Sequence, residues 1–151
     1  MACDVRPARE SDADAISAVI LSALRETNAK DYSQDIIARV AQSFSPVAVL
    51  KLLGSRTVLV AMKGEDVAGT ASLDDAVVRT VFVSPAVQGQ GVGTLLMAEI
   101  ERIARIGGVM LLTVPSSVTA QAFYAKLGFE AVRDSYHEDE RTIIMERSLE
   151  P

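Results

Sequence analysis

The sequence predicts one α/β domain on a mixed, largely antiparallel sheet flanked by helices, and three observations lead there. Short β-branched and apolar runs separated by turn residues fill positions 57–83, the pattern of antiparallel strands joined by tight turns. One strand then passes through a glycine-rich loop into an amphipathic helix and on to another apolar strand, the order of a central right-handed crossover between parallel strands. The 151 residues, 49% apolar and 23% charged, suffice for one core and not for two, so a single domain over residues 1–151 is expected.

Taken in order, Ser11 and Asp14 mark a helix start, after which Ile16, Val19, Ile20, Ala23 and Leu24 share one face at helical spacing. Ser33 is placed to cap a second helix carrying Ile36, Ile37, Val40 and Phe44, and Ser45-Pro46 to open a short third one that Gly54 closes. Residues 57–62 and 67–73 read as the two arms of a hairpin around a turn at 63–66. After the Asp74-Asp75 turn, residues 76–83 form a strand ended by Ser84-Pro85. Val92, Leu95, Leu96, Ile100, Ile103 and Ala104 then line one stripe of a helix that stops at Gly107-Gly108. The unbroken apolar run 109–114 predicts a strand covered on both faces. A further helix is expected from just after Pro115 to about Leu127 with Gly128 as its stop, and residues 129–133 pair with 142–145 across a polar loop.

Composition excludes several function classes. Lys and Arg number 15 against 20 Asp and Glu, a net charge of −5, and that field opposes a nucleic acid or an anionic membrane as partner. Cys3 is the only cysteine, so neither an internal disulfide nor a cysteine metal cluster is expected, and a reduced, cytoplasmic setting fits. No apolar run approaches the ~20 residues of a membrane helix, and residues 1–10 lack the apolar stretch of a secretory signal. No metal site is expected.

The stretch from Val81 to Thr94 holds three alternating glycines, Gly89, Gly91 and Gly93, directly before the amphipathic helix. Glycine tolerates positive φ and lets a ligand approach the backbone, and the unpaired N–H groups of a helix start favour a phosphate. An anion site explains three glycines better than a tight turn alone. A nucleoside-triphosphate loop would end in Gly-Lys-Ser/Thr, whereas Gly93 is followed by Thr94 and the loop has no lysine. A dinucleotide loop needs a third glycine where Thr94 or Leu96 stands, and no acidic residue for a ribose lies in the strand that follows.

Gln88-x-x-Gly91-x-Gly93, after a strand and opening a helix, resembles the pyrophosphate loop of the GNAT acetyltransferases. The resemblance implies that backbone amides of Gln88, Gly89, Gln90, Gly91, Val92, Gly93 and Thr94 hold the pyrophosphate of acetyl-coenzyme A, the co-substrate. It also implies that the Phe82 and Val83 backbone pairs with the pantetheine arm like an added strand. A second match stands about thirty residues on, where Ala120-Gln121-Ala122-Phe123-Tyr124-Ala125-Lys126-Leu127-Gly128-Phe129 is similar to the family's A-x-x-F-Y-x-K-L-G-F segment. By that likeness Tyr124 is the catalytic residue, giving a proton to the departing thiolate, while Phe123, Leu127 and Phe129 read as core residues. By the same likeness Ser117, standing where the family often has an asparagine that contacts pantetheine, is a cofactor-binding candidate, and Lys126 reads as a basic residue near the nucleotide phosphates or, at least as readily, as a solvated lysine on a helix face.

The resemblance covers roughly residues 57–149 and implies the GNAT-type fold and acetyl transfer to a primary amine by direct attack on the thioester. The acceptor expected is a small molecule or a peptide, a homodimer is left open, and the alternatives are a non-catalytic acetyl-coenzyme A-binding module or a protein acetyltransferase. The family's architecture implies an acceptor pocket between residues 23–33 and the 135–140 loop, where Asp31, Tyr32, Tyr136 and Glu138 offer polar groups. Many relatives carry a carboxylate on the strand before the glycine loop, but residues 76–83 contain no acid. Asp74, Asp75, His137, Glu138 and Asp139 are nearby titratable residues, all of turn type, and none carries a catalytic assignment.

Overall fold

The structure, a computed structural model, describes residues 3–150. Its strands arise where the sequence alternates or turns β-branched. β2 (Thr57–Lys63), β3 (Asp66–Asp74) and β4 (Val77–Val83) form a meander whose tight turns sit at Gly64, with φ of 64°, and Asp75, with φ of 54°. β5 (Leu111–Ser117), β6 (Glu130–His137) and β7 (Glu140–Ser148) complete one side, and β1 (Asp4–Pro7) adds an edge to β2. The sheet has seven strands in the order β1-β2-β3-β4-β5-β7-β6, antiparallel throughout except for β4 and β5.

Helices cover both faces. α1 (Ala13–Glu26), α2 (Gln34–Ala41) and α3 (Pro46–Ser55) enclose one cluster, in which Ile16, Ile20 and Leu24 of α1 meet Ile37, Val49 and Val60. α4 (Val92–Ile106) is the crossover between β4 and β5, and its Leu96, Ile100 and Ala104 pack on Leu59, Ala71, Val78 and Leu112. Short α5 (Gln121–Lys126) leads into Phe129, which is buried in the same cluster. Among the described residues no single helix is long and apolar enough to cross a membrane.

Ser33 and Ser45 cap α2 and α3 as expected, their hydroxyls accepting from the N–H groups of Ile36 and Ala48 at 3.2 Å each. Other boundaries differ. β1 carried no sequence signal because its four residues are polar or edge-type and gain strand geometry only by pairing with β2. α1 begins at Ala13 after a short 3-10 turn, and the side chain that organises this start is the Asp12 carboxylate, not the Ser11 hydroxyl. Asp12 takes two bonds from the Arg6 guanidinium, at 2.8 and 3.0 Å, and one from the Arg9 N–H at 2.7 Å. Gly54 lies inside α3 rather than closing it.

The largest correction concerns Pro115, which sits within β5 and not between a strand and a helix. The Thr113 N–H donates to the Ala76 carbonyl at 3.0 Å, so the Pro115 nitrogen two residues on faces the same side. There β4 and β5 have parted, their only register pair being Val77 with Thr113, and the missing N–H leaves no ladder bond unmade. β5 therefore runs on to Ser117, its burial alternates instead of being continuous, and α5 starts six residues after Pro115. The last hairpin is also longer than residues 129–133 and 142–145, with Glu138 turning it at φ of 57°.

Candidate functional site

The parting of β4 and β5 opens a cleft of about 730 Å3 that runs from the start of α4, past α5, to the ends of α1 and α2. A β-bulge shapes it: where β3 passes from Thr70 to Ser72, β4 passes from Phe82 to Arg79, so β4 carries one residue more than β3 over that step. Thr80 takes φ of 56°, a left-handed conformation unfavourable for a β-branched residue, and such strain persists only where the surrounding structure fixes it.

At one end stands the helix start that the glycines prepare. Gly89 and Gly91 have φ of 79° and 82°, Gly91 is the N-cap of α4, and a Cβ built on either meets no heavy atom within 4 Å. Both are required by backbone conformation, and both leave the main chain open to a ligand. The first intrahelical bond runs from the Leu95 N–H to the Gly91 carbonyl, so the N–H groups of Val92, Gly93 and Thr94 stand without helical acceptors beside the cleft they line. Gly93 has a different cause, since a Cβ there would come within 3.1 Å of the Phe123 ring. Gln88 lines the cleft and its amide donates to the Thr27 hydroxyl at 3.0 Å. Gln90 does not line the cleft, and its side chain accepts from the Lys63 ammonium at 3.2 Å.

The middle is walled by Phe82, Val83, Val114, Phe123 and Tyr124. The Phe82 ring meets Phe44 edge-on at 5.9 Å, fixing the apolar side that faces α1–α3. Tyr124 is 4% exposed and stacks edge-on to Phe123 at 5.1 Å and to Phe129 at 5.6 Å. Its hydroxyl has no hydrogen-bond partner among the described residues, and burial pushes its pKa well above the ordinary tyrosine value. Phe123, read from the sequence as core, is only partly buried and lines the cleft. Ser117 also lines it, with its hydroxyl accepting from the Ala120 N–H at 3.1 Å and so organising the turn into α5.

At the far side, Ala23 and Leu24 of α1 and Thr27, Asn28 and Tyr32 of the segment joining α1 to α2 face Glu140 and Thr142 of β7. Of the four polar residues expected there, only Tyr32 lines the cleft. Its hydroxyl donates to the Arg141 carbonyl and accepts from the Val118 N–H, both at 2.7 Å. Asp31 accepts from the Thr119 hydroxyl at 2.8 Å, Glu138 pairs with Arg39 at 2.7 Å, and Tyr136 is 63% exposed. Sequence reasoning missed Glu140, the one carboxylate among the lining residues, and Arg56 and Arg79, its two guanidinium groups. Strand alternation carried two residues upstream of Thr142 would have placed Glu140 on the face of Thr142. The arginines left no local signal. Among the described residues no His, Cys, Asp and Glu side chains gather as a metal site would require.

The family model described as an acetyltransferase (GNAT) domain matches residues 28–146. A solved GCN5-related N-acetyltransferase from Rhodopseudomonas palustris superposes with a TM-score of 0.94 at 26% identity, over 99% of this chain and 97% of that one. PaiA N-acetyltransferase from Thermoplasma acidophilum, solved with coenzyme A, gives 0.84 at 19% identity, over 98% and 99% of the two chains. YncA from Salmonella typhimurium, a putative acetyltransferase solved with acetyl-coenzyme A, gives 0.68 at 23%, over 99% and 95%. With the parted strands, the glycine-capped helix and a family match over most of its length, the chain belongs to the GNAT acetyltransferases and is an acyltransferase by family.

Proposed function

We propose that this protein takes an acetyl group from acetyl-coenzyme A and transfers it to the amine nitrogen of a small molecule or peptide. The observation that carries the reading is one cleft holding, in series, the unpaired N–H groups at the start of α4, the buried Tyr124 phenol and the single carboxylate of Glu140. The helix start suits a pyrophosphate, and the open backbone beside Gly89 and Gly91 gives it room. The exposed edge of β4 along Phe82 and Val83 offers main-chain groups to an extended amide arm.

Amide formation requires a new C–N bond, cleavage of the C–S bond, loss of a proton from the ammonium and charge stabilisation on the leaving sulfur. Glu140 takes the proton, directly or through a water, and its charge attracts the ammonium beforehand. Tyr124 holds its proton throughout the neutral range and donates a hydrogen bond to the developing thiolate. The presence of Tyr124 on the cleft wall favours a transferase over a non-catalytic binding module. Cys3 as a free thiol accords with a cytoplasmic setting.

The test is release of coenzyme A from acetyl-coenzyme A across polyamines, amino acids, aminoglycosides and peptide N-termini, beside the thermal shift given by coenzyme A alone. At least one amine class is expected to be acetylated and the cofactor to stabilise the fold. Absence of both would overturn the reading.

A further inference from the structure

The cleft has a second charged end that the transfer chemistry leaves unused. Arg56, between α3 and β2, lines the cleft and donates to the Thr80 hydroxyl at 3.2 Å. It forms no salt bridge among the described residues. Its neighbour Arg79 pairs with the half-exposed Asp74 at 3.5 Å. Two guanidinium groups against one carboxylate leave a local excess of positive charge in a chain whose net charge is −5. Burial and the nearby Arg79 both lower the Arg56 pKa. The nearby Asp74, already paired with Arg79, offsets only part of this, so an anion seated against the partly desolvated Arg56 guanidinium removes the remaining cost.

Thr80, the partner of Arg56, also borders the small cavity under Ile16, Ile20, Val49 and Leu52, which places the pair on the sheet face covered by α1 and α3. Arg79 lies near the foot of β4, where the strands still touch, whereas the glycine loop follows Val83 at the other end. Four residues of strand separate them, about 13 Å, so this cationic end is distinct from the phosphate-binding end.

We infer that Arg56, backed by Arg79, is a carboxylate subsite of the acceptor pocket, so that the acceptor is an amine that also bears a carboxylate. This rests on the transferase reading for the amine and on geometry alone for the carboxylate. Arg fits the role because its planar fork binds a carboxylate with two parallel hydrogen bonds.

Matched pairs test it: amino acids against their amides as acceptors, with wild type, Arg56→Met and Arg56→Lys. Methionine keeps the packing of the stem and removes the charge, while lysine keeps the charge and loses the fork. Wild type is expected to favour the acid by about tenfold or more in kcat/KM. Arg56→Met is expected to lower the acid's kcat/KM by roughly ten- to a hundredfold, mainly through KM, and to collapse the preference, with Arg56→Lys in between. The melting temperature of the coenzyme A-saturated protein, with and without each acceptor, reads the same contact without chemistry. If no amine is acetylated yet the acid stabilises wild type and not Arg56→Met, the subsite stands and the transferase reading falls. Equal handling of acid and amide by wild type in both measurements would overturn the subsite, as would equal losses for both in Arg56→Met. A preference for succinyl- over acetyl-coenzyme A that Arg56→Met abolishes with a neutral amine would overturn it too, by moving the carboxylate to the acyl chain.

Discussion

In the proposed transfer, Tyr124 and Glu140 would answer the two proton problems of amide formation, and the sequence marks them very differently. Tyr124 stood out in the sequence because it sits in a ten-residue match, and in the structure apolar rings surround it and burial raises its pKa. A raised value keeps the phenol neutral below the ordinary tyrosine value near 10, so it would remain a donor to a leaving thiolate across the neutral range. Tyr124→Phe keeps the ring and removes the donor. Turnover is expected to fall by about ten- to a thousandfold while the thermal shift given by acetyl-coenzyme A persists, and a wild-type rate with chemistry rate-limiting would remove the phenol from the mechanism. Glu140 was hidden because acidic residues in turns are commonplace, and only the folded register of β7 puts it in the cleft. Glu140→Gln should cost about a hundredfold in kcat/KM at pH 7. That deficit should narrow as pH approaches the amine's own pKa, since an amine already deprotonated needs no base, and a pH–rate profile with parallel wild-type and variant curves would exclude the role.

The start of α4 shows how one sequence signal can have two structural causes. Three alternating glycines read as a single anion loop, yet Gly89 and Gly91 answer to positive φ and Gly93 to the Phe123 ring 3.1 Å from its would-be Cβ. The two causes predict different phenotypes. Gly91→Val forces a β-branched residue into the left-handed region at the N-cap and redirects the amides of the first turn. It should abolish the thermal shift given by acetyl-coenzyme A with the far-ultraviolet spectrum intact, whereas retention of that shift would detach the loop from cofactor binding. Gly93→Ala instead pushes the Phe123 ring, which stacks on Tyr124, so turnover should fall more than cofactor affinity. Kinetics and binding measured on the same preparation separate the two. Elsewhere local punctuation misled, because Pro115 marks a strand end only when the neighbouring strand needs its N–H. That condition belongs to the pairing of β4 with β5 and not to residues 109–117 themselves.

For the whole molecule, the hairpin of residues 57–73, the crossover and the two motifs were legible because each is local or repeats at a fixed period, whereas β1 and the pairing of β5 with β7 were not. What joins the layers was not: the Tyr32 hydroxyl bonds Arg141, 109 residues away, and Val118, 86 residues away, and no periodicity marks such partners. Arg39 reinforces the same junction through Glu138 at 2.7 Å and Asp139 at 3.2 Å. These bonds tie α2 and the segment before it to the β6–β7 hairpin across the cleft, so Tyr32 contributes both to stability and to the shape of the cleft. Tyr32→Phe leaves the Val118 N–H and the Arg141 carbonyl without that partner and should cost about 1–2 kcal/mol. For a domain of this size that lowers the melting temperature by roughly 2–8 °C. Burial chiefly, with the charges of Glu140 and Asp31, raises the Tyr32 pKa, so its folded value exceeds its unfolded one. The contribution is therefore complete below about pH 10, the ordinary tyrosine value, and is lost as pH rises through the raised folded value. Thermal melts between pH 7 and 11 should show wild type losing its advantage over Tyr32→Phe only at the alkaline end. An advantage that is absent at pH 7, or that disappears on acidification instead, would show that the phenol does not hold the two sides of the cleft together.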